Sequence, residues 1–167
     1  MVWAATKLVI WDDLYPTYRR VSIEFKGRNP ELIYKKVRRS LQEIFRIPEG
    51  NLQEKTFKWE TSEKGSEFKA EWDAIKPLDN FTYIKIEVRL RGFVSGGVGR
   101  VSITYRPTLV TEYPQDTFWQ QNILYEIFRR LWHTIFYRKR RNEFYEMALR
   151  MASKFEEDIK EFIQSLK

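Results

Sequence analysis

The only histidine of this chain, His133, limits the catalytic and metal-binding chemistry that the sequence can support. Metal sites built on several histidines are excluded, and a Ser-His-Asp triad would have to use this residue. One helical turn to either side lie Arg129 and Tyr137, which resemble neither a charge-relay partner nor a metal shell. We therefore favour a structural histidine, and a functional role for His133 is the weaker alternative.

The chain has no cysteine, which excludes disulfides, thiolate metal sites and cysteine nucleophiles. Its acids alternate with basic residues on predicted strands, with Glu71 near Lys69, and Glu87 between Lys85 and Arg89. Alternating signs predict surface pairing across strands, whereas acid and base catalysis needs a carboxylate that is desolvated. We predict no catalytic residue, no metal site and no cofactor, so the sequence favours a protein that is not an enzyme.

The glycine-rich segment Gly92 to Gly99 could present backbone N–H groups to a phosphate. It joins two predicted strands, however, and neither a helix nor a Walker lysine follows it. We therefore predict a wide hairpin in which glycine supplies the positive φ angles.

A run of basic residues in the tail is the strongest candidate for binding a polyanion. The chain carries 30 Lys and Arg against 23 Asp and Glu, a net charge of +7, but it lacks a recognised motif for reading nucleic acid. We favour a solvated bend of the helix, with contact to nucleic acid or an acidic partner, or to a membrane surface, as alternatives. The polyanion-binding candidates are Arg129, Arg130, Arg138, Lys139, Arg140 and Arg141.

Alternating apolar and polar residues indicate the strands that would position these groups. Lys7 to Trp11 and Tyr18 to Lys26 flank a turn-rich segment and predict a hairpin. A helix then runs from Pro30 to about Phe45, and Lys55 to Val110 has the period of a four-stranded meander. Because each strand has one apolar and one charged face, we expect helices to cover a single side of the sheet.

The tail from Asp116 to Lys167 predicts almost unbroken helix, with Asp116 as a candidate cap. Its first part carries two neighbouring apolar rows, from which we predict deep burial, and Phe144 to Leu166 carries a narrower seam. A continuous helix of this length would measure ~78 Å, which is longer than a compact domain. The helix must therefore break, or protrude and pair, and we expect a break within Tyr137 to Asn142.

These elements predict an α+β fold in which a curved antiparallel sheet of about six strands carries one early helix and a long C-terminal helical segment on its apolar face. We expect one domain over residues 1–167, with residues 143–167 as a candidate helical extension. A twisted sheet closing over a long helix can leave a void for an apolar ligand, although a filled core is the alternative. The residues that we expect to line such a void are Phe57, Trp59, Phe68, Trp72, Tyr105, Trp119 and Trp132.

The order of these elements, from Tyr18 to about Phe136, resembles the helix-grip arrangement of START-like and polyketide-cyclase-like proteins. The resemblance rests on element order and polarity, without a family motif, and it implies a cavity for an apolar ligand. The chain departs from that pattern by an extra N-terminal strand, by fewer meander strands and by the helix beyond Tyr137. The resemblance therefore assigns no functional role to any residue of this chain.

Two functions follow from this reading. The leading hypothesis is non-enzymatic binding of a hydrophobic small molecule between the sheet and the C-terminal helix. The alternative is an oligomeric interaction protein that forms a homodimer through its C-terminal helix and contacts nucleic acid, which we do not favour, or an acidic partner through its basic surface. We recognise neither a signal peptide nor an apolar run of the ~18 residues that span a bilayer, so we expect a cytoplasmic protein.

Overall fold

A computed structural model describes residues 9–113, 120 and 122–166 of the chain. The strands are β1 Val9–Asp13, β2 Val21–Arg28, β3 Leu52–Ser62, β4 Gly65–Pro77, β5 Thr82–Ser95 and β6 Val98–Glu112. The helices are α1 Leu32–Phe45, a short 3₁₀ turn Glu49–Asn51, α2 Ile123–Trp132, a π-helical turn His133–Tyr137 and α3 Arg138–Ser165.

The six strands form one antiparallel sheet in the order β1-β6-β5-β4-β3, and β2 also pairs with β6. The predicted N-terminal hairpin is wrong, because β1 and β2 do not pair with each other. Trp11 lies opposite Val110 and Ile23 lies opposite Ile103, so the two segments form one interrupted edge strand along β6. Leu14, in the interruption, is buried in the core. Alternation indicates a strand, but it does not specify which neighbour the strand pairs with.

The predicted meander is confirmed as β3 to β6, each strand pairing with the next. The turn between β5 and β6 is a tight two-residue turn rather than the wide hairpin that we expected. Gly96 and Gly97 alone form it, with φ of +59° and +76°. These values suit the type I′ turns that match the twist of paired strands.

Two helices cover the apolar face of the sheet, which confirms the predicted fold class. Helix α1 begins two residues later than predicted and packs against α3. The ring of Phe155 in α3 contacts Phe45 of α1 and Tyr105 of β6, at centroid distances of 5.9 and 5.2 Å. Asp158 accepts hydrogen bonds from Lys36 and Ser40 at 2.7 and 2.5 Å, which fixes α3 against α1.

The tail forms one continuous helical segment from Ile123 to Ser165, which measures about 65 Å at 1.5 Å per residue. The predicted break within Tyr137 to Asn142 is wrong, because this described segment is helical throughout and its irregularity, the π-helical turn, ends at Tyr137. The cap of α2 is Asn122, whose side chain accepts a hydrogen bond from the N–H of Leu124 at 2.9 Å. The predicted cap Asp116 lies outside the described residues.

Candidate functional site

The two apolar rows of α2 and the π-helical turn face outward, so the predicted deep burial is wrong. Eight large apolar side chains of this segment are each at least 43% exposed, and Leu124 reaches 71%. Monomeric soluble proteins rarely expose a contiguous apolar patch of this kind without a binding role. We call this surface the outer face; it consists of Ile123, Leu124, Ile127, Phe128, Leu131, Trp132, Ile135 and Phe136.

The π-helical turn explains why the two halves of the helix use opposite sides. A π turn inserts one residue, and one residue rotates the following helix by about 100° around its axis. The apolar side of α3 therefore packs on the sheet through residues such as Ala148, Phe155 and Ile159, all fully buried, while the apolar rows of α2 point away. The narrower apolar seam, on α3, is part of the core, and the two wider apolar rows, on α2, are left uncovered.

The opposite side of the helix is polar and faces the end of the sheet. Tyr137 lies in a buried network in which its hydroxyl is 2.6 Å from Oγ1 of Thr82 and donates to Asp79 at 2.7 Å. Oγ1 of Thr82 also lies 2.9 Å from Oγ1 of Thr111. Nε of Arg141 donates to Oγ1 of Thr111, again at 2.9 Å. These groups come from distant segments of the chain, so no local sequence pattern could have identified the network.

His133, in the π-helical turn, lies beside Tyr113 at the end of β6. The Tyr113 hydroxyl is 2.7 Å from Nδ1 of His133, and burial raises the pKa of Tyr113 to about 12. Burial, together with the charges of Arg141 and Arg138, lowers the pKa of His133, so this imidazole is neutral near pH 7. A neutral histidine is thus bonded to a neutral tyrosine, and the structural role that we favoured for His133 stays a prediction.

Arg129 lies one helical turn before His133 on the same inward side and is only 3% exposed. None of its three guanidinium nitrogens has a hydrogen-bond partner among the described residues. Its charge lies over the ring of Tyr125, 5.8 Å from the centroid. Because an unpaired buried cation is costly, this guanidinium is the least satisfied polar group of the site.

The predicted polyanion-binding residues do not share one surface. Arg129 and Arg141 are buried, and Nη1 of Arg141 is bonded to Asp12. Arg130 is exposed and pairs with Glu126 at 2.6 Å. The remaining three, Arg138, Lys139 and Arg140, are exposed at the end of the outer face, and Arg140 lies 3.4 Å from Asp79.

The predicted ligand-binding aromatics fall into three groups. The side chains of Phe68, Trp72 and Tyr105 are buried in the core, and those of Phe57 and Trp59 are about half exposed on the same side of the sheet. Around Tyr34 of α1, the rings of Phe57 and Trp72 lie at 5.1 and 5.3 Å, and Trp59 stacks on Phe68 at 5.1 Å. Trp132 belongs to the outer face, and Trp119 lies outside the described residues.

The charged side of the sheet carries the predicted ion pairs. Lys55 pairs with Asp73 across β3 and β4, Lys69 lies 2.8 Å from Glu71, and Arg89 lies 4.0 Å from the same glutamate. The hydrogen bond from Lys69 holds the pKa of Glu71 below its usual range, so this carboxylate stays ionised. Such a group suits a surface ion pair better than general acid catalysis.

The same side of the sheet holds an open groove of about 670 Å³ near the β5–β6 turn. Acidic and basic side chains and two phenylalanines, Phe25 and Phe93, line it, so the groove has no clear preference for either charge. The lining includes Glu24, Lys26, Glu67, Arg91, Phe93 and Arg100.

The described residues offer neither a metal-binding cluster nor a membrane-spanning helix. They contain no group of three or more His, Asp or Glu side chains arranged to hold a metal ion. Among the described helices, none is both long and apolar enough to cross a bilayer.

Comparison with known proteins identifies no family. No protein-family model and no curated protein matches this chain. Three solved structures align over most of its length: a protein of unknown function from Staphylococcus aureus, Ara h 8.0201, and an uncharacterised protein from Rhizobium leguminosarum. The first is 11% identical, covers 97% of this chain and 98% of its own, and has a TM-score of 0.31. The second is 9% identical, covers 87% and 97%, and has a TM-score of 0.23, while the third is 11% identical, covers 94% and 99%, and has a TM-score of 0.18.

Superpositions with TM-scores this low do not establish a shared fold. The description of the architecture therefore depends on the strand order and helix packing of this chain alone, which are those of a six-stranded antiparallel sheet covered by helices on one side.

Proposed function

We propose that this protein is a non-enzymatic binding module that attaches to anionic membrane surfaces through its outer face. The observation that carries the proposal is the inversion of α2, whose apolar rows point away from the sheet while its polar side faces the protein. An amphipathic helix of this kind can insert its apolar side into the boundary between headgroups and acyl chains. On the outer face the ring of Trp132 lies between those of Phe128 and Phe136, at centroid distances of 6.4 and 5.1 Å, and aromatic rings suit that boundary.

The charges beside the outer face favour an anionic partner. Arg138 and Lys139 follow the apolar rows directly and are exposed, whereas the exposed Arg130 and Arg140 are paired with Glu126 and Asp79. The chain as a whole carries a net charge of +7. Each basic residue near an anionic lipid surface contributes about 1 kcal/mol of attraction.

A second copy of the chain is a less suitable partner for this surface. In a two-fold antiparallel pairing of α2, the basic end of one helix would meet the first turns of the other. The acid there, Glu126, is already paired with Arg130. The two broad apolar rows also exceed the single narrow seam of a helix pair.

Vesicle flotation of the full chain tests the proposal, with phosphatidylcholine vesicles compared with vesicles that also contain phosphatidylglycerol. We expect binding to the anionic vesicles that weakens as salt is raised. Replacing two outer-face residues, Phe128→Ser with Leu131→Ser, should weaken binding at least about 100-fold, because each side chain loses its burial in the bilayer. The matched control is Ile75→Ser with Val98→Ser, two exposed apolar residues outside the helix, which should bind as the unaltered chain does.

A charge series completes the test. Arg138→Gln with Lys139→Gln should weaken binding about tenfold or more, whereas Lys58→Gln with Lys64→Gln removes the same charge elsewhere and should have a smaller effect. The proposal fails if anionic vesicles do not bind, or if the outer-face variant binds unchanged. A dimer in mass photometry that dissociates on Phe128→Ser with Leu131→Ser, without vesicle binding, would assign the surface to a second copy.

A second candidate function, binding of a hydrophobic small molecule, is favoured by the half-exposed aromatic cluster beside α1. Phe57 and Trp59 are only partly covered, and the indole Nε1 of buried Trp72 has no acceptor among the described residues. An apolar ligand that carries a carbonyl oxygen would satisfy this N–H and cover the two rings. The cavity implied by the helix-grip resemblance would lie on this side of the sheet.

Native mass spectrometry of gently purified protein and a dye-displacement titration test the second function. A retained apolar adduct and saturable dye binding are expected, both reduced by Trp59→Ala. Trp11→Ala, which alters a similarly exposed tryptophan on the opposite edge strand, should leave them unchanged. If neither an adduct nor saturable binding is found, the small-molecule function is wrong, and the vesicle experiment is unaffected.

A further inference from the structure

The inward side of α2 holds positive charge that the described residues do not neutralise. Arg129 is 97% covered, yet Nε, Nη1 and Nη2 all lack a hydrogen-bond partner among them. Proteins pair almost every buried charge, because a cation removed from water without an anion is strongly disfavoured. An arginine with three unpaired guanidinium nitrogens therefore indicates a missing acceptor.

Arg141 is a second buried arginine on the same helical segment. Nη2 of buried Arg141 also lacks a partner in the described part of the chain, whereas its Nε and Nη1 are bonded to Thr111 and Asp12. The charges of Arg129 and Arg141 both act on Tyr113, which lies between α2 and the sheet and bonds to His133. Arg129 and Arg141 lie twelve residues apart, about 18 Å along the helical segment, so the Arg141 guanidinium does not belong to the surroundings of Arg129.

The acids of this region that the structure describes are already engaged. Asp12 accepts from Arg141, and Asp79 accepts from Tyr137 and from the backbone N–H groups of Phe81 and Thr82. Glu126 pairs with Arg130 on the exposed flank of the helix. The region has a surplus of donors, and the neutral imidazole of His133 does not add to the positive charge.

We infer that Arg129 is the centre of a binding site for a phosphate group on the inward side of α2. A guanidinium offers planar pairs of N–H donors that match phosphate oxygens, and such charge-assisted bonds are among the strongest in proteins. A phosphate group presents several acceptor oxygens, which suits the three unused nitrogens of the Arg129 guanidinium. This site lies on the opposite side of α2 from the outer face, so it does not depend on membrane attachment.

Thermal unfolding of the full chain in phosphate-free buffer, titrated with inorganic phosphate at constant ionic strength, tests the site. We expect a saturable rise in melting temperature of about 5–10 °C when phosphate reaches ~100 times its dissociation constant. Glycerol 3-phosphate in a parallel titration distinguishes a phosphate ester, such as a lipid headgroup, from the free anion. A rise in melting temperature with inorganic phosphate would identify the free anion as a ligand of the site. A rise with glycerol 3-phosphate alone would identify a phosphate ester as the ligand.

Matched variants assign the response to the arginine. Arg129→Met keeps an unbranched apolar side chain but removes the guanidinium, and it should abolish the shift. Arg138→Met, nine residues along the same helix and exposed, should retain the shift. Without phosphate, Arg129→Met should melt at the same temperature as the unaltered chain or above it, because the variant removes an unpaired buried charge.

Three results would overturn the inference. The first is the absence of any saturable shift in the unaltered chain, which requires no variant to fold. The second is an equal shift in Arg129→Met and Arg138→Met. The third is a lower melting temperature for both Arg129→Met and Asp116→Asn without phosphate, which would mean that an acid of the chain itself, outside the described residues, already pairs with the arginine.

Discussion

The hydroxyl of Tyr137 lies 2.6 Å from Oγ1 of Thr82 and joins the π-helical turn to the first residue of β5. The same hydroxyl donates to Asp79 at 2.7 Å, so a single tyrosine links the helix to both the strand and the turn before it. The hydroxyl of Tyr137 thus makes its bonds at the point where the apolar side of the helix changes direction. It is therefore the contact that we expect to hold α2 in its inverted orientation.

Tyr137→Phe removes the hydroxyl and leaves Thr82 and Asp79 each short of one partner. The variant should lower the free energy of unfolding by about 1–3 kcal/mol, since buried polar groups lose a hydrogen bond without gaining water. Urea unfolding followed by circular dichroism measures the change. Tyr18→Phe, at a 77% exposed tyrosine, is the control and should be close to neutral, and equal stability of the two variants would contradict the assigned role.

A matched pair of phenylalanines tests which part of the helix forms the core. Phe155 in α3 is fully buried, whereas Phe128 in α2 is 62% exposed. Phe155→Ala should lower the free energy of unfolding by about 3–5 kcal/mol, and Phe128→Ala should change it by less than about 0.5 kcal/mol. Urea denaturation of both variants measures the difference. A larger loss for Phe128→Ala would mean that the outer face is covered within the chain.

Residue periodicity was sufficient to predict the sheet and its covering. Alternation over residues 55–110 identified β3 to β6 and their apolar side, because a strand buried on one face imposes a period of two. The same pattern could not distinguish a hairpin from two segments along one strand, since β1 and β2 have the alternation of any edge strand. Strand pairing is a long-range property, which a local pattern does not contain.

Burial along the tail could not be predicted, because the more apolar half of the helix is the exposed half. The prediction assumed that the wider apolar stripe is the buried one, but the π-helical turn rotates that stripe of α2 away from the sheet. No Gly or Pro occurs between His133 and Tyr137 to signal the irregularity. The buried network likewise joins Thr82, Thr111 and Arg141, which are far apart in the sequence.

Stability should fall as the pH is lowered through the titration of His133. Burial and the charges of Arg141 and Arg138 lower the pKa of this imidazole in the folded protein, below the value of 6.5 for an unperturbed histidine. The unfolded chain therefore binds the proton more tightly than the folded protein does. The contribution of His133 to the free energy of unfolding is complete above the pKa of the unfolded chain, and it is lost as the pH drops towards the pKa of the folded protein.

Urea unfolding at about pH 7.5 and about pH 5.5 measures this effect. His133→Asn cannot be protonated and should lose less stability across this interval than the unaltered chain. Carboxylates with lowered pKa, such as Glu71 and Glu87, titrate below the interval and so affect both proteins alike. An identical pH dependence in the two proteins would show that His133 does not titrate differently on folding.

Deleting Thr134 should convert the π-helical turn to regular α-helix and rotate α2 by about 100° relative to α3. Position 129 would then leave its buried side, while α3, fixed to the sheet by Phe155, would stay in place. The chain has no cysteine, so single engineered cysteines report accessibility without background. Arg129→Cys should react with a thiol reagent about tenfold faster or more in the deletion variant than in the full-length chain.

Two further cysteines make this measurement specific to rotation. Ala152→Cys, at a fully buried position of α3, should stay slow in both proteins, and Ser153→Cys, at an exposed position of α3, should stay fast in both. Faster labelling at position 152 would indicate general loosening of the helix. Equally slow labelling at position 129 in both proteins would contradict the rotation, and the inverted outer face would then need a cause other than the extra residue in the turn.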